Sequence, residues 1–301
     1  MPKTSRANGP HTAEGISRHW VFAGLRRPII ATGLSPLAAP LGLFLPNWPH
    51  RPVEKPAPAP PDVTVEIRNR RYVIDRRDRP QDRVTVDVPF VAATEVVSGL
   101  IDACLAQIEN AVRIHAAAAE VGRGVVLLIG GPSAGKSSVG LHLAAAGRRS
   151  YGDDVIVVQM HRGTKRATAI CLGLAAKVCL PLPDGCAPGY RRFVARHTVF
   201  RNETRALLRL ENKRAACFGE EREIAALIAL DRRASGEAVL TPTASGAMLR
   251  RTLESSSSVY LTTDSLLTGL NELTQAAPTY ALRFSSSAAA AALVEKELCA
   301  G

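Results

Sequence analysis

The stretch GVVLLIGGPSAGKSSVGLHLAAAG, residues 124–147, changes character twice. Gly124–Ile129 is a short unbroken apolar run, the pattern of a strand buried on both faces. Residues 136–146 read as a helix, closed by Gly147 at the C-cap. Between them Gly130, Gly131, Pro132, Ser133, Ala134, Gly135, Lys136 and Ser137 match G-x-x-x-x-G-K-[ST], in the strand–loop–helix setting that gives the motif its meaning. Glycines let the backbone wrap so that successive N–H groups point inward at phosphates. The helix N-terminus adds its dipole and free amides. Lys136 is placed to reach the β- and γ-phosphates, the Ser137 hydroxyl to hold Mg²⁺, and Ser138 continues the cradle. ATP and Mg²⁺ are therefore the expected ligands.

Working outward, two further features carry chemistry. Gly152, Asp153 and Asp154 stand just before an apolar run at 155–159. One of the two carboxylates could hold a metal, and the other could take the proton from an attacking hydroxyl. An acidic turn ahead of a strand is the plainer alternative. His115 heads the run that precedes the glycine-rich loop; a histidine that merely satisfies its surroundings is the plainer alternative there.

The remaining chain supplies a scaffold. Residues 1–18 are polar and expected to be a disordered tail. Residues 28–46 are apolar but hold four prolines, too many for a helix, so irregular chain packed on the domain is expected. Residues 49–61 read as an extended proline-rich connector. Alternating runs at 63–68, 71–76 and 83–89 predict a small antiparallel sheet with a tight turn at Asn69 and Arg70. Helical spacing follows over 94–113, with Thr94 as N-cap. Strands are expected at 114–121, 155–159, 167–173, 177–182 and 224–231, and helices at 243–253 and 288–298. The predicted organisation is a β-rich subdomain with its connector over 19–92 and a catalytic domain over 93–301.

Composition narrows the partners. The 301 residues carry a net charge of +11, which favours anionic ligands. Aromatic residues make up only 5 %, poor material for stacking bases, so nucleic acid is not expected as a partner. The arginines from Arg68 to Arg83 are expected on the solvated face of a hairpin. No apolar run of membrane-spanning length occurs, so no membrane partner is expected either. The six cysteines form no C-x-x-C pair and sit with no histidine cluster, which predicts buried, reduced thiols in a cytoplasmic protein.

The segment from Ile114 to Gln159 resembles the catalytic core of HPr kinase/phosphorylase. That family has a histidine before the loop, a Walker A loop, a helix, a glycine and an Asp-Asp pair, and all occur here in the same order. The resemblance implies an α/β fold with a P-loop kinase core of the HPr kinase and phosphoenolpyruvate carboxykinase type, beside a small N-terminal β-rich subdomain. It implies transfer of the γ-phosphoryl of ATP to a serine of a small protein or precursor peptide. Asp154 would be the proton acceptor, Asp153 would support the metal, His115 would stand near the phosphates, and Lys136 and Ser137 would hold phosphate and Mg²⁺. A homo-oligomer is possible by the same resemblance, since full-length HPr kinases are hexameric. The family's downstream E-[IV]-R-G-[LI]-G has lost its Glu and Arg in Ala169 to Leu174, which puts phosphorylase activity in doubt. Two alternatives stand beside the kinase. One is a nucleotide-binding sensor or assembly protein without transfer. The other is a hydrolytic or guanine-specific NTPase, for which Asn212, Lys213, Arg214 and Ala215 give half of an NKxD signature. Arg191, Arg192, Arg196, Arg201 and Arg205, in a region with little periodic signal, could supply further positive charge.

Overall fold

The computed structural model describes residues 19–54 and 59–299, apart from the single positions 123, 165, 184, 212 and 259. The expected tail at 1–18 and Asn212 of the half signature lie outside the described residues. The fold is mixed α/β, with three sheets.

The largest sheet is built around Gly124–Ile129, whose six residues are all buried. Burying side chains such as Val125 to Ile129 contributes about 1.5–3 kcal/mol each, so this strand anchors the core. Ala116–Val121 pairs with it antiparallel and Glu221–Arg232 parallel. The latter strand is long enough to serve two neighbours. Its first residues pair with Arg166–Ile170, and its last six pair in parallel with Thr279–Phe284. Ile156–His161 and Ala111–Ile114 extend the sheet beyond Arg166–Ile170. Helix Lys136–Ala145 covers one face beside helix Ser287–Cys299, and Ser245–Glu254 and Thr263–Ala276 cover the other.

The second sheet has six strands, in the order His50–Val53, His19–Phe22, Ile29–Thr32, Val63–Arg68, Arg71–Arg76 and Val84–Val86. Its hairpin turns at Asn69 and Arg70, with φ of 49° and 61°. Two consecutive positive φ values are those of the type I′ turn whose twist matches its strands. The arginines of this region are not all solvated. Arg76 is buried, and its guanidinium reaches Glu95 at 2.8 Å and Asp102 at 3.4 Å. The third sheet is small, with strands Ala176–Cys179, Arg205–Leu208 and Thr198–Arg201 beside helix Pro188–His197.

Four expectations change, the first at the connector expected over 49–61: His50–Val53 is a strand paired with His19–Phe22, and 55–58 lie outside the described residues. Residues 28–46 are ordered, forming strand Ile29–Thr32 and helix Ala38–Phe44, with Leu34, Leu37 and Leu41 in the core. Pro40 is tolerated because it sits in the first turn, where amides have no intrahelical partner anyway. The helix placed at 94–113 spans Pro89–Leu105 instead. Pro89 opens it, and Thr94 lies inside with its hydroxyl donating to Phe90 O at 3.1 Å. Asn110 adopts φ 55°, and strand Ala111–Ile114 begins. Of the cysteines described, Cys104 and Cys171 are buried, but Cys179 and Cys217 are exposed. No helix among the described residues is long and apolar enough to cross a membrane.

Candidate active site

The loop leaves strand Gly124–Ile129 at Gly130 and enters helix Lys136–Ala145. Gly130 is packed so closely that a Cβ would lie 2.8 Å from the Ala134 methyl. Ser133 and Gly135 take φ of 61° and 99°, which folds the loop back over the helix N-terminus. Gly131, Pro132 and Ser133 are exposed, and Ala134, Gly135, Ser137 and Ser138 are partly so. Lys136 is buried, and its ammonium donates to the carbonyls of Gly130 at 2.8 Å and Gly131 at 3.1 Å. Burial pushes its pKa down, opposed by Asp153 and Asp154.

Strand register explains how the aspartate pair is placed. Ala116 pairs with Ile129, so the residue before it, His115, stands next to the start of the loop. At His115 the chain passes from Ala111–Ile114 to Ala116–Val121. A second crossing lies beside it. Ser150–Gly152 pairs with Ala116–Val121, and Ile156–His161 pairs with Ala111–Ile114. Residues 153–155 are the link between those two partners. The aspartates therefore sit at a break between two strands, not simply ahead of one, and face His115 across it.

The two carboxylates occupy different surroundings. Asp153 is buried, and its Oδ2 accepts the backbone N–H of Lys177 at 2.8 Å. Burial pushes its pKa up, against the Lys177 amide and the Ser137 side chain. Its Oδ1 is buried with no hydrogen-bond partner. Asp154 has φ 72° and accepts from the Lys177 ammonium. His115 Nδ1 lies 2.9 Å from the Asp154 carbonyl and 3.2 Å from its Oδ1. Both of these partners accept, so Nδ1 carries the proton. Burial alone would push the Asp154 carboxyl up, but Lys177, then His115 and Arg113, outweigh it and hold it below the ordinary carboxylate value. Environment thus drives the two pKa values apart, the pattern by which neighbouring carboxylates take separate roles.

No family model matches this chain, and no curated protein matches it. Among solved structures, the HPr(Ser) kinase/phosphatase from Coxiella burnetii is similar at a TM-score of 0.30. The two are 13 % identical, over 61 % of this chain and 91 % of that one. So loose an overlay transfers no residue's role, and the chemistry has to be read from this chain's own side chains.

Beside the pair opens a cavity of about 210 Å³. Asp153, Asp154 and Lys177 form one wall, and Thr94, Glu95 and Ser98 of helix Pro89–Leu105 form another. Arg113 also borders it, 3.5 Å from the Ser98 hydroxyl. Mg²⁺ takes oxygen ligands, keeps several waters, and needs only one or two carboxylates besides phosphate. The unpartnered Asp153 Oδ1 near Ser137 fits that requirement. Among the described residues no group of three or more His, Cys, Asp or Glu forms a metal cage.

Sequence reasoning missed Lys177. It lies on strand Ala176–Cys179, 23 residues beyond Asp154, and touches both aspartates, one through its amide and one through its ammonium. Its run gave only a strand pattern, with no mark on the lysine. The five arginines from Arg191 to Arg205 are structured after all: three lie on helix Pro188–His197, and Arg201 and Arg205 lie on the two strands that follow.

Proposed function

We propose that this protein is an ATP-dependent serine kinase of the HPr-kinase-like type, with a P-loop core. The observation that carries the reading is the convergence of the glycine-rich loop with two carboxylates of opposite character. In this reading the loop amides of 130–137 and the Lys136 ammonium cradle the phosphates. Ser137 and Asp153 would hold Mg²⁺, which when bound neutralises charge on the phosphates.

Asp154 receives the acceptor. It stays ionised at neutral pH, so it accepts the hydrogen bond of a serine hydroxyl entering the cavity and orients it toward the γ-phosphoryl. Lys177 and His115 fix the carboxylate. A cavity of about 210 Å³ is below the range of sites for drug-sized ligands, and suits one side chain of a polypeptide. The downstream family signature has lost its Glu and Arg in Ala169 to Leu174, so this chain offers no support for the reverse phosphorylase chemistry.

Purified full chain with γ-labelled ATP and Mg²⁺ tests the proposal, against serine-bearing peptides and HPr, with Lys136→Ala as control. Label on serine that disappears in the control is expected. Tight ATP binding with no transfer to any acceptor would favour the nucleotide-binding sensor instead.

A further inference from the structure

Residues 186–214 hold eight Lys and Arg against two Glu, a net +6 of the chain's +11. Structural contacts occupy part of this charge: Arg191 donates to Pro183 O and Cys186 O, Arg214 donates to Ala145 O and lies over the Phe193 ring, and Arg196 meets Glu211. Helix Pro188–His197 buries Tyr190, Phe193 and Val194, and Tyr190 stacks on His142 of the loop helix with ring centroids 3.7 Å apart. Its arginines point the other way. Arg192, Arg196, Arg201, Arg205 and Arg209 are all exposed. Among these, in the described residues, only Arg196 has a carboxylate partner, Glu211 at 3.6 Å.

The same module contains a groove of about 360 Å³. Leu180, Leu182, Val194, Ala195 and Ala206 line its apolar part, and Arg191 and Arg201 border it. Strand Ala176–Cys179 joins it to the aspartate pair. Lys177 sits at Asp154, and Leu180, three residues on, lines the groove. At about 3.3 Å per residue the two places are about 10 Å apart along the chain, on alternate faces of it, so a bound polypeptide would pass round the edge of the small sheet between them.

We propose that this groove docks an acidic, leucine-bearing stretch of the acceptor polypeptide a few residues from the serine presented to Asp154. The inference rests on the reading of Asp154 as the transfer site. Apolar side chains would seat on the floor and carboxylates on the arginine rim, giving both affinity and steering toward the site. A nucleic-acid strand fits worse. Tyr190 and Phe193 are buried and Phe200 is half-buried, so the surface offers no open ring on which bases could stack.

The test uses the full chain without ATP and reads fluorescence anisotropy of three labelled probes. They are a short peptide of Glu, Leu and Ser, the same peptide with Gln for each Glu, and an oligouridylate of equal length. The acidic peptide should bind, weaken with salt, and outcompete the other two. Arg201→Glu with Arg205→Glu should weaken it about tenfold, the equivalent of roughly 1.4 kcal/mol. Ala195→Glu, which places a carboxylate on the groove floor, should do the same. All three positions are exposed or line open space, so melting temperature and ATP affinity should stay at the parent values. Failure of the acidic peptide to bind, equal binding of the Gln peptide, or indifference to both variants would overturn the proposal. Tighter binding of oligouridylate through the same arginines would overturn it in favour of nucleic acid. The readout is independent of phosphoryl transfer. A chain that docks the peptide but never transfers label would sink the kinase reading and leave the docking site standing.

Discussion

Replacing Lys177 by Met removes the ammonium from Asp154 and keeps the backbone N–H that holds Asp153 at 2.8 Å. The perturbation therefore separates the two carboxylates. A hydrogen bond to a charged group is worth about 1.5–3 kcal/mol, and partial exposure of both side chains, 33 % and 35 %, puts this one at the low end, about 1.5 kcal/mol. That matches the cost of holding a non-glycine residue in the left-handed region, about 1–2 kcal/mol, where Asp154 sits at φ 72°. His115 at 3.2 Å, with Arg113 farther off, remains to hold that carboxylate. Losing about 1.4 kcal/mol of orientation costs a factor of about ten in rate. Transfer should fall about tenfold, the melting temperature should drop about 2–3 °C, and Mg·ATP affinity should not change. The acid limb should also move. Lys177 is the strongest influence holding the Asp154 pKa down, so its loss raises that pKa and activity fails at higher pH as acid is added. Initial rates against pH, calorimetric ATP titration and thermal melting read all of this. An unchanged rate, or ATP affinity that collapses with the rate, would refute the assignment and make Lys177 either a bystander or a phosphate ligand.

Asp153→Asn should cut Mg²⁺-dependent ATP affinity about 10–100-fold, measured by titration with and without the metal. The same variant should melt higher than the parent at neutral pH. Burial raises the Asp153 pKa, so its contribution to stability is full below the ordinary carboxylate value and lost as pH rises through the raised one; the gap should close in acid. Gly135→Ala should destabilise by about 1–2 kcal/mol and weaken ATP binding about tenfold, because φ is 99° and the new methyl would sit 3.0 Å from the Phe284 ring; chemical denaturation and titration check it. Arg76→Met should cost about 3–5 kcal/mol in denaturant unfolding, since it strands the buried Asp102. Burial already raises the Asp102 pKa against the pull of Arg76, so that loss should shrink as the pH is lowered and Asp102 takes up a proton.

The parts of this site that were legible in sequence are those encoded locally. Residues 124–147 state their strand, turn and helix through composition alone, and glycine placement agrees with the φ values found at Gly135 and Gly147. Asp153, Asp154 and His115 were visible as residue types at suggestive positions. Their juxtaposition was not, because it depends on two chain crossings that share a level in the sheet. Lys177 was invisible for the same reason: its partners are 23 and 24 residues away, and its neighbours Ala176 and Val178 report only a strand. Residues 28–46 misled because proline count was weighed without position; Pro36 and Pro40 both occupy first-turn places where a missing amide costs nothing. The end of helix Pro89–Leu105 was overrun because Ile108 and Val112 continue its apolar spacing across the left-handed turn at Asn110.

The central claim is that Asp154 orients an acceptor hydroxyl for transfer and takes no part in holding ATP. Single-turnover transfer from γ-labelled ATP to a serine peptide, run beside ATP titration for the parent and for Asp154→Asn, tests it most directly. The account predicts that label transfer is abolished in the variant while ATP affinity stays at the parent value. Transfer at the parent rate in Asp154→Asn would contradict it.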